Sequence, residues 1–547
     1  MPEITIPLVG SPDLRNQDAY NTIGRGQRFI GCVFDVVKNP VTGNGKVYCS
    51  KRPGLATANT PAAGNAGVVI SNDGGSTITV FNTTTGAVYK LTTAQGNIGG
   101  SNIYPAIGYG YVGDEYVWLF TTNTTGWFLA AGAASGASTF TANRTAASTT
   151  LSSVSSFTGL YVGQLLSGTG IDSLARIASM NTGAGTLEMT VAASSGAGTS
   201  TTVTRERIAK IIDADFPTSL RGPMIEIDGY VLVGSSNRIY NSDQNSVVSW
   251  AAASYLTLSS NSGDVAGVAK YKGRLVGLGF RGGEFFYNAG NATGSPFTRT
   301  GDSFGVGCGG AASGQFGIGY IAQTDDYLVF EDAAGAVYMM DGGSPKEITT
   351  ASVKRVIGDM SNGSVTITSA WGKRYVHISR ASAYSFLYDI ELGVWSESGF
   401  TDRIMLSGGS DSASITAEDC SAIDTVGTGG KVYTFDLSTP VYQDDGASYT
   451  MTIQSGRLDL GKGRSVTIHE ARLDSDIQAS GTATFATSSD DAQNFTTIGT
   501  FDMTALNPRI NRCGYYPDGI LNFKITHSDN TAFRASTLRL KYSVGAH

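Results

Sequence analysis

Four stretches of this chain repeat one pattern, a turn followed by two alternating apolar strands, at a nearly constant spacing. Asp228-Gly229-Tyr230-Val231-Leu232-Val233 precedes Asn237-Arg238-Ile239-Tyr240, and Lys272-Gly273-Arg274-Leu275-Val276-Gly277-Leu278 precedes Glu284-Phe285-Phe286-Tyr287. Asp325-Asp326-Tyr327-Leu328-Val329-Phe330 precedes Gly335-Ala336-Val337-Tyr338-Met339, and Gly372-Lys373-Arg374-Tyr375-Val376-His377-Ile378 precedes Tyr384-Ser385-Phe386-Leu387-Tyr388. With positions 230, 275, 327 and 375 taken as equivalent, the steps are 45, 52 and 48 residues. A period of ~40–50 residues is that of four-stranded propeller blades.

Further copies flank this block. Ser76-Thr77-Ile78-Thr79-Val80 with Gly86-Ala87-Val88-Tyr89, and Asp114-Glu115-Tyr116-Val117-Trp118 with Gly126-Trp127-Phe128, lie upstream; Gly430-Lys431-Val432-Tyr433-Thr434-Phe435 lies downstream. The count predicts six or seven blades. The competing reading is a series of unrelated hairpins in sandwich domains, but those place turns every ~8–12 residues without a longer period. Composition agrees with all-β: 71 glycines in 547 residues, scattered among Thr, Val and Tyr, suit short strands and tight turns.

The step from 116 to 230 spans more than two periods, and residues 133–205 turn to Ala, Ser, Thr and Gly with little charge. Phe157-Thr158-Gly159-Leu160-Tyr161-Val162 and Ser167-Gly168-Thr169-Gly170-Ile171 inside it still alternate. We expect a small inserted β domain with flexible connectors at 130–139 and 192–202; a disordered low-complexity loop is the alternative. After about 445 the pattern becomes period-2 strands, as in Arg457-Leu458-Asp459-Leu460, Thr482-Ala483-Thr484-Phe485 and Leu538-Arg539-Leu540-Lys541. The expected division is therefore 1–132, first part of a β-propeller; 133–205, inserted domain; 206–445, second part of the propeller; and 446–547, a C-terminal β-sandwich-like domain. The best helix signal, Ser352-Val353-Lys354-Arg355-Val356-Ile357, is good for a turn or two.

No motif carries a convincing chemistry. Gly108-Gly110-Gly113 and Gly305-Gly307-Gly310 match the spacing of dinucleotide loops, yet neither opens a helix that would receive a pyrophosphate. Gly301-Asp302-Ser303-Phe304-Gly305 matches a nucleophile elbow without the α/β surroundings, and His377, His469, His527 and His547 lie far apart. No histidine spacing suits a metal, and the pairs Asp213/Asp215 and Asp474/Asp476 lack the rest of a calcium loop. Glu331, Asp332 and Asp341 fall at turns and are poor candidates for glycosidase acids. We expect no enzyme, with no catalytic, cofactor-binding or metal residues and no cofactor. The net charge of −7 gives no basic footprint for gripping nucleic acid. The five cysteines are odd in number and never form C-x-x-C, against a disulfide framework or zinc site. The opening Met1-Pro2-Glu3-Ile4 reads without a signal peptide, and no apolar run reaches the ~18 residues of a membrane span.

Several stretches, in this order, resemble the tail hub, packaged-DNA stabilisation or tail nozzle proteins of short-tailed bacteriophages. They are Pro7-Leu8 with Leu14-Arg15-Asn16, Ser50-Lys51-Arg52-Pro53-Gly54-Leu55, the 272–277 and 284–287 pair, Phe304-Gly305-Val306-Gly307, Gly335-Ala336-Val337-Tyr338 with Ser344-Pro345-Lys346-Glu347-Ile348-Thr349-Thr350, and Phe386-Leu387-Tyr388-Asp389 with Gly393-Val394-Trp395. The resemblance covers about 1–130 and 205–445, and more loosely the C-terminal sandwich; the insertion departs from it. It implies a β-propeller body, a homo-hexameric ring or tube in the virion tail, and folding in the host cytoplasm. It further implies seating below the portal and adaptor, carriage of a needle, fibres or spikes, and passage of double-stranded DNA through the channel. A phage receptor-binding or glycan-degrading propeller is the alternative; a bacterial surface adhesin is a third, disfavoured by the missing signal peptide.

Overall fold

The computed structural model describes residues 2–545, apart from 11–26, 39–44, 60–65, 71–77, 83–86, 91–92, 99–102, 113–114, 123 and 131–137. Also outside the described residues are 195, 260–262, 310–320, 325, 358–362, 371–372, 381–384, 400–402, 407–420, 425–430 and 436–440. Leu14-Arg15-Asn16, Gly113, Gly310, Asp325, Gly372, Cys420 and Gly430 therefore lie outside them.

Tight turns set the strand pairing. Asp228 and Gly229, with φ of 55° and 84°, join strands whose last and first residues, Ile227 and Tyr230, face each other. Lys272 and Gly273, at 50° and 72°, do the same between Tyr271 and Arg274. Two residues with positive φ make the hairpin turn whose twist matches that of the strands. Along blades three to five, apolar side chains cover both faces, so neighbouring blades pack face to face. Ile225, Ile227 and Leu232 of one blade meet Val265, Val268 and Phe286 of the next. Phe285 and Phe304 then meet Ile321, Leu328 and Phe330.

Among the described residues this gives seven four-stranded blades. Blade one spans 66–97, blade three 220–257, blade four 265–304, blade five 321–347 and blade six 363–397. Blade two takes three strands from 103–130 and its fourth from Gly198–Lys210. Blade seven takes three from 403–435 and its fourth from Leu55–Asn59, far back in the chain. The first strand of every blade is innermost, and these strands touch in a closed circle from blade one to seven and back. The seven sequence copies coincide with the seven blades, marking mostly their second and third strands. One helix, Ala351–Ile357, links blades five and six and buries Val353 and Ile357 between them. Thr350 Oγ1 caps it by accepting the Val353 N–H at 3.2 Å.

The expected assignment of all of 1–132 to the propeller needs correction. Glu3–Pro7, Arg28–Ile30, Cys32–Lys38 and Gly45–Lys51 belong to the terminal sandwich. One of its sheets runs Cys32–Lys38, Gly45–Lys51, Arg534–Val544, Val466–Ser475, Arg509–Tyr516, with Glu3–Pro7 also paired to Arg534–Val544. Leu8, Phe29, Phe34 and Cys49 share a core with Phe485, Phe501, Phe523 and Leu540. The N-terminal strands are needed there because they cover apolar residues that 446–547 would leave exposed. The second sheet is continuous with blade six, through parallel pairing of Ile30 with Glu397.

Residues 138–205 form a β module with its own core of Phe140, Leu151, Leu166, Ile177, Leu187 and Val203. The expected connector at 192–202 is in part wrong. Residues 198–202 begin the long strand Gly198–Lys210, whose first half pairs with Ser138–Arg144 and whose end, Ile208 to Lys210, pairs with Trp127 to Leu129 of blade two. The module is thus joined to the propeller by an unbroken strand on one side. Of the other connector, residues 131–137 lie outside the described residues.

Candidate functional site

The glycine motifs dissolve into strands. Gly108 and Gly110 lie within the strand Ile103–Val112, and Gly110 is there because a Cβ would sit 2.3 Å from Val247 Cγ1. Gly307 is pressed on the backbone of Phe280, whose carbonyl oxygen would lie 2.0 Å from a Cβ. Ser303 sits in the antiparallel strand Phe297–Phe304 opposite Glu284, and the described residues that follow, 305–309, are not helical. His377 is on blade six, two blades away from Ser303, buried at 2% exposure. Burial lowers its pKa to about 3, and neither ring nitrogen has a hydrogen-bond partner.

The carboxylates have turn and strand roles. Asp332 Oδ1 accepts the Ala334 and Ala336 N–H groups at 2.8 Å, Asp341 pairs with Lys346 at 3.5 Å, and Glu331 is buried in its strand. Asp213 accepts the Asp215 and Trp250 N–H groups, at 2.8 and 3.2 Å. Asp474 is held by Arg539 at 2.7 Å and Asp476 by Arg534 at 2.7 Å. Among the described residues, no group of three or more His, Cys, Asp or Glu is placed to hold a metal ion.

The densest concentration of buried charge is instead a joint between sandwich and propeller. The chain leaves the sandwich at Lys51, passes Arg52-Pro53-Gly54, and becomes the closing strand of blade seven. Arg52, its side chain 1% exposed, donates Nη1 to Asp444 Oδ1 at 2.9 Å and Nη2 to Oδ2 at 2.6 Å. Its Nε donates to Ser398 O, just past the last strand of blade six, at 2.7 Å. The guanidinium lies 4.0 Å over the Tyr449 ring, and the Tyr449 hydroxyl donates to Arg52 O. Burial alone would weaken the hold of Arg52 on its proton; Tyr449 and Asp444 outweigh it and raise the pKa. Asp444 Oδ1 also accepts the Leu55 N–H at 3.1 Å, so one carboxylate fixes both the arginine and the first residue of the closing strand.

Two further ion pairs extend the joint. Arg28 grips the fully buried Glu397 with two nitrogens, Nε at 2.9 Å, beside the parallel pairing that fuses the sheets. Lys373 Nζ bridges Asp389 Oδ2 at 2.9 Å and Phe34 O at 2.7 Å, tying blade six to the sandwich hairpin. Nearby, burial first and then the charge of Arg52 lower the pKa of Lys51 to about 8. These carboxylates are engaged by cations, so the arrangement offers neither a free base nor an open ligand set. Its geometry suits a rigid joint. Buried ion pairs add little net stability against apolar replacements, and their best-attested use is to fix one register.

No motif in the sequence marks this joint. Ser50 to Leu55 stood in the sequence as one of the stretches carrying the phage-tail resemblance, but nothing in it shows that Arg52 is buried. Asp444 reads as one more acidic residue before the Asp445-Gly446 turn.

No family model matches this chain, and no curated protein matches it. Among solved structures it is similar to BamB from Moraxella catarrhalis, at 11% identity over 70% of this chain and 100% of that one, TM-score 0.35. It is similar to BBS1N in complex with ARL6DN at 8% identity over 79% and 99%, TM-score 0.33. It is similar to the dihydro-heme d1 dehydrogenase NirN at 10% identity over 85% and 80%, TM-score 0.30. No helix among the described residues is long and apolar enough to cross a membrane.

Proposed function

We propose that this chain is a structural subunit of a phage tail, a hub or nozzle protein that forms a homo-hexameric ring or tube below the portal and adaptor. In this reading it retains packaged DNA, conducts it during ejection, and carries the needle, fibres or spikes; it folds in the host cytoplasm and ends in the virion. The sequence resemblance suggests the reading. The observation that carries it is the buried joint at Arg52, Asp444, Arg28 and Glu397, which makes propeller and sandwich one stiff body suited to a fixed part of an assembly.

The DNA path would lie between copies and not through one propeller. A lumen lined by a chain of net charge −7 repels phosphate, so DNA slides and does not stick. Electron microscopy of purified virions tests the reading. Six copies in a ring on the tail axis are expected. Peripheral appendages, or loss of polysaccharide chain length on incubation with the pure protein, would replace it with a receptor-binding or glycan-degrading role. A strongly basic lumen would refute the sliding argument.

A further inference from the structure

At one end of the sandwich three arginines stand directly opposite one another across three strands. Arg509 faces Arg472, and Arg472 faces Arg539. Like charges directly opposite on a sheet face destabilise it. Arg539 is compensated by Asp474 at 2.7 Å and Glu3 at 3.6 Å, and Arg472 lies 3.8 Å from the same Asp474. Arg509 is exposed on the edge strand Arg509–Tyr516, and no carboxylate reaches it among the described residues.

The same end exposes apolar surface. Leu506 is 71% exposed and Ile477 59%. Their loops run side by side, joined by Gln478 N to Met503 O at 2.9 Å and by Leu473 N to Pro508 O at 2.9 Å. Exposed apolar side chains that cluster mark an interaction site, and arginine is enriched at protein interfaces. Of the carboxylates on these loops, Asp502 is engaged by Thr504, whose N–H and hydroxyl it accepts at 2.9 and 2.7 Å, and Asp476 by Arg534 at 2.7 Å.

A complementary surface lies on blade three. Asp213, Asp215, Asp228 and Asp243 gather at the end of that blade where its first and third turns meet, shown by Asn245 N to Gly229 O at 2.8 Å and Trp250 N to Asp213 Oδ2 at 3.2 Å. Asp215, Asp228 and Asp243 are exposed. Their hydrogen bonds, including Ser249 Oγ to Asp243 at 2.6 Å and Asn288 Nδ2 to Asp228 at 3.0 Å, come from neutral groups. Blade three stands across the ring from blades six and seven, which hold the sandwich. The two surfaces therefore sit on opposite sides of one chain.

We propose that the Arg509–Leu506–Ile477 corner of one copy docks on the acidic end of blade three of a second copy. Two different patches on opposite sides make a heterologous, head-to-tail contact, which generates a ring when its rotation closes. The occupant is a second copy because the chain itself supplies the matching charge. The proposal deepens the ring reading, and rests on it only for closure; the pairwise contact stands without the virus.

Light scattering and sedimentation of the full-length chain, with circular dichroism as the folding control, test it. Wild type is expected to self-associate at tens of micromolar and to dissociate with rising salt. Arg509→Glu with Leu506→Ser, or Asp215→Lys with Asp243→Lys, should each give monomers with unchanged spectra, the affinity falling at least tenfold. Mixing the two variants should restore assembly, because one contact is native and the other has its charges exchanged. Monomeric wild type, assembly indifferent to these substitutions, or no restoration on mixing overturns the proposal. Restoration on mixing, with the protein found off the tail axis in virions, would sustain this contact and refute the tail function alone.

Discussion

Replacing Asp444 by Asn separates the joint from the rest of the fold. Asn can still accept the Leu55 N–H, and its shape is nearly unchanged, so the substitution removes mainly the negative charge facing Arg52. Arg52 keeps Ser398 O at 2.7 Å, Pro53 O at 3.0 Å and the Tyr449 ring at 4.0 Å. It loses the bidentate grip of Asp444 while remaining 1% exposed. Breaking a buried ion pair from one side costs about 3–5 kcal/mol. The remaining carbonyls and the ring, worth up to about 2 kcal/mol for a desolvated cation, place this site at the lower end, about 3 kcal/mol.

That cost should appear locally, because Arg52 and Asp444 hold the closing strand and not the remote blades. Hydrogen exchange in Leu55–Asn59 and its partner Val432–Phe435 should quicken by roughly a hundredfold, the equivalent of about 3 kcal/mol in a local opening. Exchange in Val265–Tyr271 of blade four should stay within a few-fold. The double variant Arg52→Met with Asp444→Leu should recover more than half of the loss, since no charge is left stranded. Less than a tenfold change in the closing strand for Asp444→Asn, or equal quickening in blade four, would refute the reasoning.

Acid should destabilise the chain before its carboxylates protonate. His377 has a folded pKa of about 3 and His527 of about 4, each lowered first by burial, against ~6.5 unfolded. The unfolded chain therefore binds protons that the folded one refuses, and stability falls as pH drops from ~6.5 toward 4, by up to ~1.4 kcal/mol per pH unit for each histidine. His377→Leu, which forfeits no hydrogen bond, should roughly halve the fall in urea-melt stability between pH 6.5 and 4, His527 supplying the rest, and leave it near wild type at pH 8; an unchanged acid slope would count against it. Gly54→Ala should open blade seven without any change of charge, because its Cβ would lie 1.9 Å from Gln443 O, and backbone shifts of that kind cost about 1–3 kcal/mol. Exchange in the closing strand reports it, and wild-type protection would show that the approach can relax freely.

The blade period was legible because the second and third strands of a blade are covered on both faces and bounded by short turns. Tyr230 to Val233 and Leu275 to Leu278 read clearly for that reason. The fourth strands were not legible where they come from elsewhere: Leu55–Asn59 closes a blade whose other strands begin near 403, and the end of Gly198–Lys210 completes blade two across the insertion. Alternation tells which residues turn inward but never which strand they will meet. The same limit misplaced Cys32–Lys38 and Gly45–Lys51, since a hairpin for a sandwich and one for a blade have the same period. The buried joint was invisible for a further reason. Arg52 and Asp444 are ordinary polar residues beside turns, and only the convergence of segments 392 residues apart buries them.

That convergence also explains why the ring has its seam at the sandwich. The first six blades follow one another along the chain, each packed on the one before it. Closing the circle is the costly step, since the entropy of bringing distant segments together must be met before blade seven gains its fourth strand. Both sides of the seam are anchored on the sandwich. Blade six runs into its sheet through Ile30 and Glu397, and the closing strand emerges from it at Lys51. Once the sandwich core of Phe29, Phe34, Phe485 and Leu540 has formed, Arg52 and Leu55 are delivered to Asp444 as neighbours, and the remaining loop to be closed is short. Ring and sandwich therefore stabilise each other. A force that opens blade seven must first break Arg52, its side chain 1% exposed, from the bidentate grip of Asp444.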